Sequence, residues 1–383
     1  MNTFLLTDCP QTNLRFRPLS SLRSISELRL AYFSILDCWN QFAPTGLKNS
    51  NVVSGPQRWI YSHVLPSKDL VQSLLELTPG TALYHETTCI AWYSDIAQPN
   101  PSYKKIQFTG AITRLNDPMD LIQNLNQRIL HDYTLLSVSR TKSSVPNSVF
   151  LTGNPADLFI EEGAKVNTCF INVSNGPVFI SKHAEVMEGA MIRGPFVLGE
   201  HSEVKMGSKI YGPTSIGAWC KIGGELNQCL FQDYSNKAHD GFLGQSLIGS
   251  WCNLGADTNC SNLKNNYSFV KQYRYDTCQL ENTGAQFAGI IMGDHCKTGI
   301  NTMLNTGTVL GTATHVYGSG FPPQFVPDFT WFNGKDLEPY RWDKFIETVE
   351  RVWARRNKAL TESDRNQLKK LYVQVYPKSS SNT

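Results

Sequence analysis

No apolar run in this 383-residue chain approaches the roughly 20 residues needed to cross a bilayer. The first such run, Phe4-Leu5-Leu6, is far shorter than the core of a secretion signal. Excess charge is lacking as well. Lys and Arg number 35 against 32 Asp and Glu, and the resulting +3 is too mild to argue for nucleic acid or an anionic membrane. The ten cysteines include no closely spaced pair of the kind that binds zinc. They read as reduced thiols of a cytoplasmic protein, with no metal site expected. Partners of the membrane and nucleic-acid classes are set aside on these grounds, and the length suggests two or three structural units.

What the chain does have is a period. Ile180, Val186, Ile192, Leu198, Val204, Ile210, Ile216 and Ile222 recur at every sixth position. Six does not fit a helix face and is too sparse for simple strand alternation; it is the repeat of a hexapeptide parallel β-helix. The aliphatic residue of each hexad points inward and stacks on its neighbours above and below, which leaves chemistry to the outside. The register returns at Phe242, Ile248 and Leu254 and again at Met292, Thr298, Leu304, Leu310 and Val316, with an earlier pair at Ile160 and Val166. Residues 223–241 are out of register by two, and residues 261–287 form a polar insertion. Both breaks are expected to carry function, because insertions in a solenoid map to loops on one face.

The flanks read differently. Residues 1–145 suit a small α/β domain, with strands at Phe4–Leu6, Thr81–Tyr84 and Thr88–Tyr93. One helix is expected over Ser24–Trp39, opened by a Ser24/Glu27 capping box, and another after the Asp117-Pro118 start. A linker spans Ser139–Ser148, and the solenoid is expected over 155–320. The Pro/aromatic stretch after Val316 reads as an extended tail rather than a further coil. Two helices then close the 321–383 segment, the first carrying Phe345, Val349, Val352 and Trp353 and the second starting near Thr361 or Ser363. Arg351, Arg355 and Arg356 on the first are either a solvated basic face or an anion site.

The stretch Ser235-Asn236-Lys237-Ala238-His239-Asp240-Gly241-Phe242-Leu243-Gly244 resembles a motif of the left-handed β-helix sugar acetyltransferases. The likeness is to the C-terminal half of the bifunctional N-acetylglucosamine-1-phosphate uridyltransferase/glucosamine-1-phosphate acetyltransferase family. The nearer match is a diverged bacterial branch of that group, often described as sugar nucleotidyltransferases. Its marks here are Arg193-Gly194-Pro195-Phe196, Gly223-Gly224-Glu225, Ser261-Asn262-Leu263-Lys264-Asn265-Asn266, the run from Ile291 to Thr302, and Gly320-Phe321-Pro322-Pro323. The resemblance implies a left-handed coil, a homotrimer, acetyl-CoA as acyl donor, and a sugar phosphate or nucleotide-sugar as the other substrate. The N-terminal likeness is looser, resting on Pro18 to Arg29. The better-known nucleotidyltransferases cradle a triphosphate in a Gly-rich loop after the first strand. Here that strand leads into Thr7-Asp8-Cys9-Pro10, without glycine. Nucleotidyl transfer, which would bring in Mg, and a degenerate or merely structural domain both stay open.

Within this resemblance His239 takes the place of the catalytic base. Acyl transfer to an amine needs the neutral amine, and an imidazole is suited to take the proton. The resemblance also implies that Asn253 and Asn262 position the sugar, with amides that both donate and accept. Lys237 and Arg193 would neutralise phosphate, and backbone N–H groups near Gly255 and Ala256 would hold the thioester oxyanion. Phe242 and Asn227 stand where the better-known member has a Tyr and a phosphate-binding Lys, so the acceptor is not named by this sequence. Each residue also has a bland reading, as a corner imidazole, a solvated cation or an Asn in a left-handed turn. The rival functions are a non-catalytic trimeric scaffold that binds nucleotide-sugar or CoA, and a γ-type carbonic anhydrase using the solenoid imidazoles His183, His201, His239, His295 and His315.

Overall fold

The computed structural model describes residues 4–42 and 55–377. Its centre is a parallel β-helix with three faces, flanked by an α/β region before it and helices after it. We call the nine-stranded sheet running from Leu158–Ile160 to Phe325–Val326 face 1. Face 2 carries Lys165–Val166, Glu185–Val186, Glu203–Val204, Lys221–Ile222 and Asn236–Lys237. Face 3 runs from Val149–Thr152 to Phe242–Gly244. The hexad residues from Ile180 to Ile222 are all buried and in register, Ile192 on Ile210 and Val186 on Val204. Their stacking removes whole aliphatic side chains from water, about 1.5–3 kcal/mol each. Cys220, Cys229 and Cys260 fill inner positions; burial pushes these thiols up to about 12, so they stay protonated and inert.

The corner between faces 1 and 2 is built on left-handed backbone. His183, His201, Trp219, Tyr234, Trp251 and His295 all have φ near +60°. Such a conformation costs a non-Gly residue about 1–2 kcal/mol. Here the rings stack coil on coil, at 4.8 Å for His183–His201 and 4.1 Å for both His201–Trp219 and Tyr234–Trp251. The aromatic contacts offset that local strain.

Three different things happen on the three outer surfaces. Face 1 is covered: Phe159, Phe179, Val197, Leu230, Leu247, Ile291 and Val309 belong to one buried cluster with Phe16, Leu28, Trp39 and Ile129 of the N-terminal domain. That domain is built on a five-stranded sheet that also contains Phe4–Thr7 and Thr88–Ser94. The corner of faces 1 and 2 is capped by the helices Trp342–Ala354 and Glu362–Val375, with Phe345, Val349, Leu371 and Tyr372 packed against Ala313 and Phe329. Face 3 is bare. Phe150, Phe170 and Met191 are 59%, 50% and 46% exposed, and they line an open depression of ≈ 700 Å³.

Several expectations change. The helix over Ser24–Trp39 is replaced by a 3-10 turn at Ile25–Glu27, which keeps the Ser24/Glu27 capping box, and a short helix at Ile35–Phe42. The residues between dock the domain instead: the Arg29 N–H donates to Gln232, its guanidinium pairs with Asp233 at 2.7 Å, and Asp132 accepts from the N–H groups of Tyr32 and Phe33. The helix after Asp117-Pro118 is broken at Asn124 into Met119–Gln123 and Leu125–Ser139. Coil pairing begins at Val149, directly after the Ser139–Ser148 linker and ahead of the expected start at 155. The proline-rich tail is not merely laid along the surface; Phe325–Val326 pairs with Val309–Leu310, and Thr330–Phe332 with His315–Val316, adding strands to faces 1 and 2. Phe242 points outward, and Leu243 takes the inner place on face 3 above Leu226.

Candidate functional site

The register break at 223–241 has a simple cause. Val204 and Ile210 are six residues apart across the corner of faces 2 and 3, whereas Ile222 and the next inner residue, Leu226, are four apart. Gly223-Gly224 alone turns that corner. A Cβ on Gly223 would lie 2.5 Å from the Ala238 carbonyl oxygen, so only glycine lets the shortened coil close. The next coil turns at full length through Ala238, His239 and Asp240. The coil beneath therefore sets no residue against His239, whose side chain is exposed and makes no hydrogen bond among the described residues.

Phe242 stands outward beside this corner, its N–H donating to Asn259 Oδ1 at 2.8 Å. On the following coil Gly255 and Ala256 take the matching corner. The Gly255 N–H already donates to the Thr298 carbonyl and to Thr298 Oγ1 at 3.0 Å, so it is not free for an oxyanion, which corrects that expectation. The Ala256 N–H has no partner among the described residues.

Lys237 also departs from its expected role. It pairs with Ile222 on the inner ladder and is fully buried. Its Nζ donates to the carbonyls of His239 at 2.6 Å and Asp240 at 2.9 Å. The amine thus holds the His239 corner from within instead of meeting a phosphate. Burial pulls its pKa down to about 8, against the smaller opposing pull of Asp240 and Asp257.

The other predicted residues do not converge on His239 within one chain. Asn227 ends the face 3 strand below Gly244, at the far corner. Asn262 lies at that same corner, its Nδ2 donating to Gln245 Oε1, and Gln245 in turn donates to Gln228 at 3.1 Å. Arg193 is exposed on face 3, two strands before Asn227, and helps line the open depression. Asn253 bridges Asn236 and Lys297 on the outer side of face 2, where it lines a different cleft. Lys221 and Lys297 in that cleft escaped sequence reasoning, because the insertion at 261–287 hides their common register. The solenoid imidazoles are scattered too. His183, His201 and His295 belong to the aromatic corner, while His315 lies beside Lys297, where burial and then that cation push its pKa down to about 3. Among the described residues no three His, Cys, Asp or Glu side chains are placed to hold a metal ion.

No helix of the described residues is long and apolar enough to cross a membrane. A family model described as sugar nucleotidyl transferase matches residues 4–141, the N-terminal domain alone. No curated protein matches the chain. Among solved structures, the chain is similar to a UDP-N-acetylglucosamine acyltransferase of Arabidopsis at 17% identity, covering 63% of this chain and 85% of that one, TM-score 0.29. A second UDP-N-acetylglucosamine acyltransferase is 12% identical over 63% of this chain and 92% of its own, TM-score 0.34. AntD, an N-acyltransferase from Bacillus cereus in complex with dTDP and 3-hydroxybutyryl-CoA, is 10% identical over 55% of this chain and 92% of its own, TM-score 0.22. At these identities and TM-scores the likenesses carry no argument about reaction or substrate.

Proposed function

We propose that the protein transfers an acyl group, acetyl in the simplest case, from its CoA thioester to the amine of a phosphorylated or nucleotide-linked amino sugar. The observation that carries this reading is the His239 imidazole, presented without an internal partner over a corner shortened by two residues. His239 removes the proton from the attacking amine; the amine forms the new bond to the thioester carbon, and CoA leaves as the thiol. The unengaged Ala256 N–H is the donor available to the developing oxyanion. Phe242 offers an apolar edge beside the base. Asn227 and Asn262 lie a strand's length away, roughly 7–10 Å at about 3.3 Å per residue. A sugar lying along Phe242–Gly244 would span from base to amides, with Arg193 lower on the same face to meet a phosphate.

The same reading makes the protein a homotrimer. Face 3 is left uncovered by the described residues, and a second copy seated along its whole length, from Phe150, Phe170 and Met191 to Phe242, would wall the His239 corner from the side. For the N-terminal domain we propose a docking role. Asp8, just after the first strand, accepts from Asn13 Nδ2 at 2.8 Å, Ser24 Oγ at 2.9 Å and the Ile25 N–H at 3.2 Å. Its carboxylate is occupied in fixing the loop, so it is poorly suited to hold Mg.

The test is CoA release with glucosamine-1-phosphate and with UDP-amino sugars as acceptors, for wild type and His239→Ala. Wild type should release CoA with at least one acceptor, and the variant should lose about 10²–10⁴-fold in kcat with KM little changed. Absence of release with every acceptor, or full rate in the variant, would overturn the enzyme reading in favour of a binding scaffold.

A further inference from the structure

A second, differently built cleft of ≈ 550 Å³ lies between the outer side of face 2 and the helix Trp342–Ala354. Its floor is one column of outward residues brought together by the coils: Lys221, Asn236, Asn253 and Lys297. Arg355, the C-terminal cap of the helix, and Arg356 just after it close the cleft from above, and the stacked rings of Tyr234 and Trp251 form the side wall.

The charges here are unequal. Lys221 is matched by Glu203 at 2.8 Å. Lys297, Arg355 and Arg356 have no carboxylate within ion-pair distance among the described residues, and no acidic residue lines the cleft. Arg356 is oriented, donating to the Trp219 carbonyl at 3.1 Å with its guanidinium 5.9 Å from the Trp219 ring centroid. Lys297 is half-buried, and desolvation draws its pKa down, opposed only by the Cys252 and Cys296 thiols. Three like charges face one cavity, and Lys297 among them has lost part of its hydration, a cost that a multivalent anion would relieve. Two amide side chains supply donors that suit phosphoryl oxygens. The volume is that of a small-molecule site, large enough for a diphosphate with a ring against the aromatic wall.

We propose that this cleft is a binding site for a diphosphate-bearing small molecule, separate from the His239 corner and independent of whether His239 is a base. The shared chemistry is the diphosphate; its source is inorganic pyrophosphate, a nucleoside diphosphate or the diphosphate arm of CoA.

Calorimetric titration of the full chain with pyrophosphate, UDP and CoA tests the site. Wild type is expected to bind pyrophosphate, more weakly at high salt, and Lys297→Met/Arg355→Ala should weaken it at least tenfold. UDP or CoA binding more tightly than pyrophosphate, with the same loss in the double variant, would assign the source to that molecule. His239→Ala should leave pyrophosphate affinity unchanged, which separates this site from the acyl-transfer reading. The exposed Arg355→Ala alone, expected to weaken binding about threefold, decides the matter if the double variant does not fold. No pyrophosphate binding at millimolar concentration, or equal binding by wild type and these cleft variants, would overturn the proposal.

Discussion

Replacing Lys237 by Met should stabilise the protein at pH 7, although it removes a lysine that makes two good hydrogen bonds. Lys237 occupies a ladder position filled by Ile222 in the coil below and Leu254 in the coil above, and its side chain is fully buried. A folded-state pKa of about 8 against an ordinary 10.5 corresponds to about 3 kcal/mol against the charged form. The ammonium recovers part of this through the His239 and Asp240 carbonyls. Both residues are exposed, so water can replace those bonds at a cost of about 1 kcal/mol. Methionine is close in volume and apolar, which leaves a net gain of roughly 1–2 kcal/mol, or a few degrees in Tm. The pH dependence gives the sharper reading. A lysine with a lowered folded pKa penalises folding fully below about pH 8, and the penalty disappears as pH rises through the unfolded value. Wild-type stability should therefore rise between about pH 8 and 10.5 relative to the variant, erasing the advantage of Met. Melting curves of both proteins from pH 7 to 10 measure this. A variant that melts lower at pH 7, by a margin that does not change with pH, would refute the reasoning and show that the carbonyl contacts dominate.

Two further outcomes follow from the coil. Ile210→Asp places a carboxylate between Ile192 and Leu226 with no partner inside the ladder, a cost of several kcal/mol, and the protein should be insoluble on expression; a soluble, cooperatively melting variant would contradict the inner register. Phe170→Glu puts charge among the exposed apolar residues of the bare face, and light scattering at micromolar concentration should show a trimer for wild type and a monomer for the variant; a monomeric wild type would remove the shared-face assembly.

The inner ladder was readable in the sequence because each hexad repeats one local environment, and aliphatic residues report it without reference to distant contacts. Register fails as a guide where that environment changes. Phe242 continues the count of six to Ile248 but faces out, because the inner residues on either side of the next corner, Leu243 and Ile248, are five apart and the spacing slips by one there. Lys237 carries the right residue type for a phosphate ligand and sits on the wrong side of the strand, since a one-residue difference in position reverses a side chain. The Ser24–Trp39 segment has helical spacing and a real capping box, yet the ion pair to Asp233 and the bonds to Asp132 hold its middle open. Tertiary contacts to residues distant in sequence have overridden local propensity there.

The two breaks in the repeat also turn out to be different devices. The insertion at 261–287 adds material, a hairpin of Lys271–Arg274 and Gln279–Asn282. It reaches back to the N-terminal domain: Arg15 bonds to Asp276 at 3.2 Å and Glu281 at 2.7 Å, and Arg274 to Asp117 at 2.8 Å. The Arg15 pairs are partly exposed and contribute little individually, but together with the buried Arg274 they form a network that fixes the angle of the domain on face 1. The shortening at Gly223-Gly224 removes material. In a stacked coil every side chain is covered by the equivalents above and below, so deleting two residues uncovers the corner that follows. An insertion therefore builds a clamp and a deletion opens a site. The chemistry in this chain is to be sought at His239, where cover is lost, before the longer and more conspicuous loop.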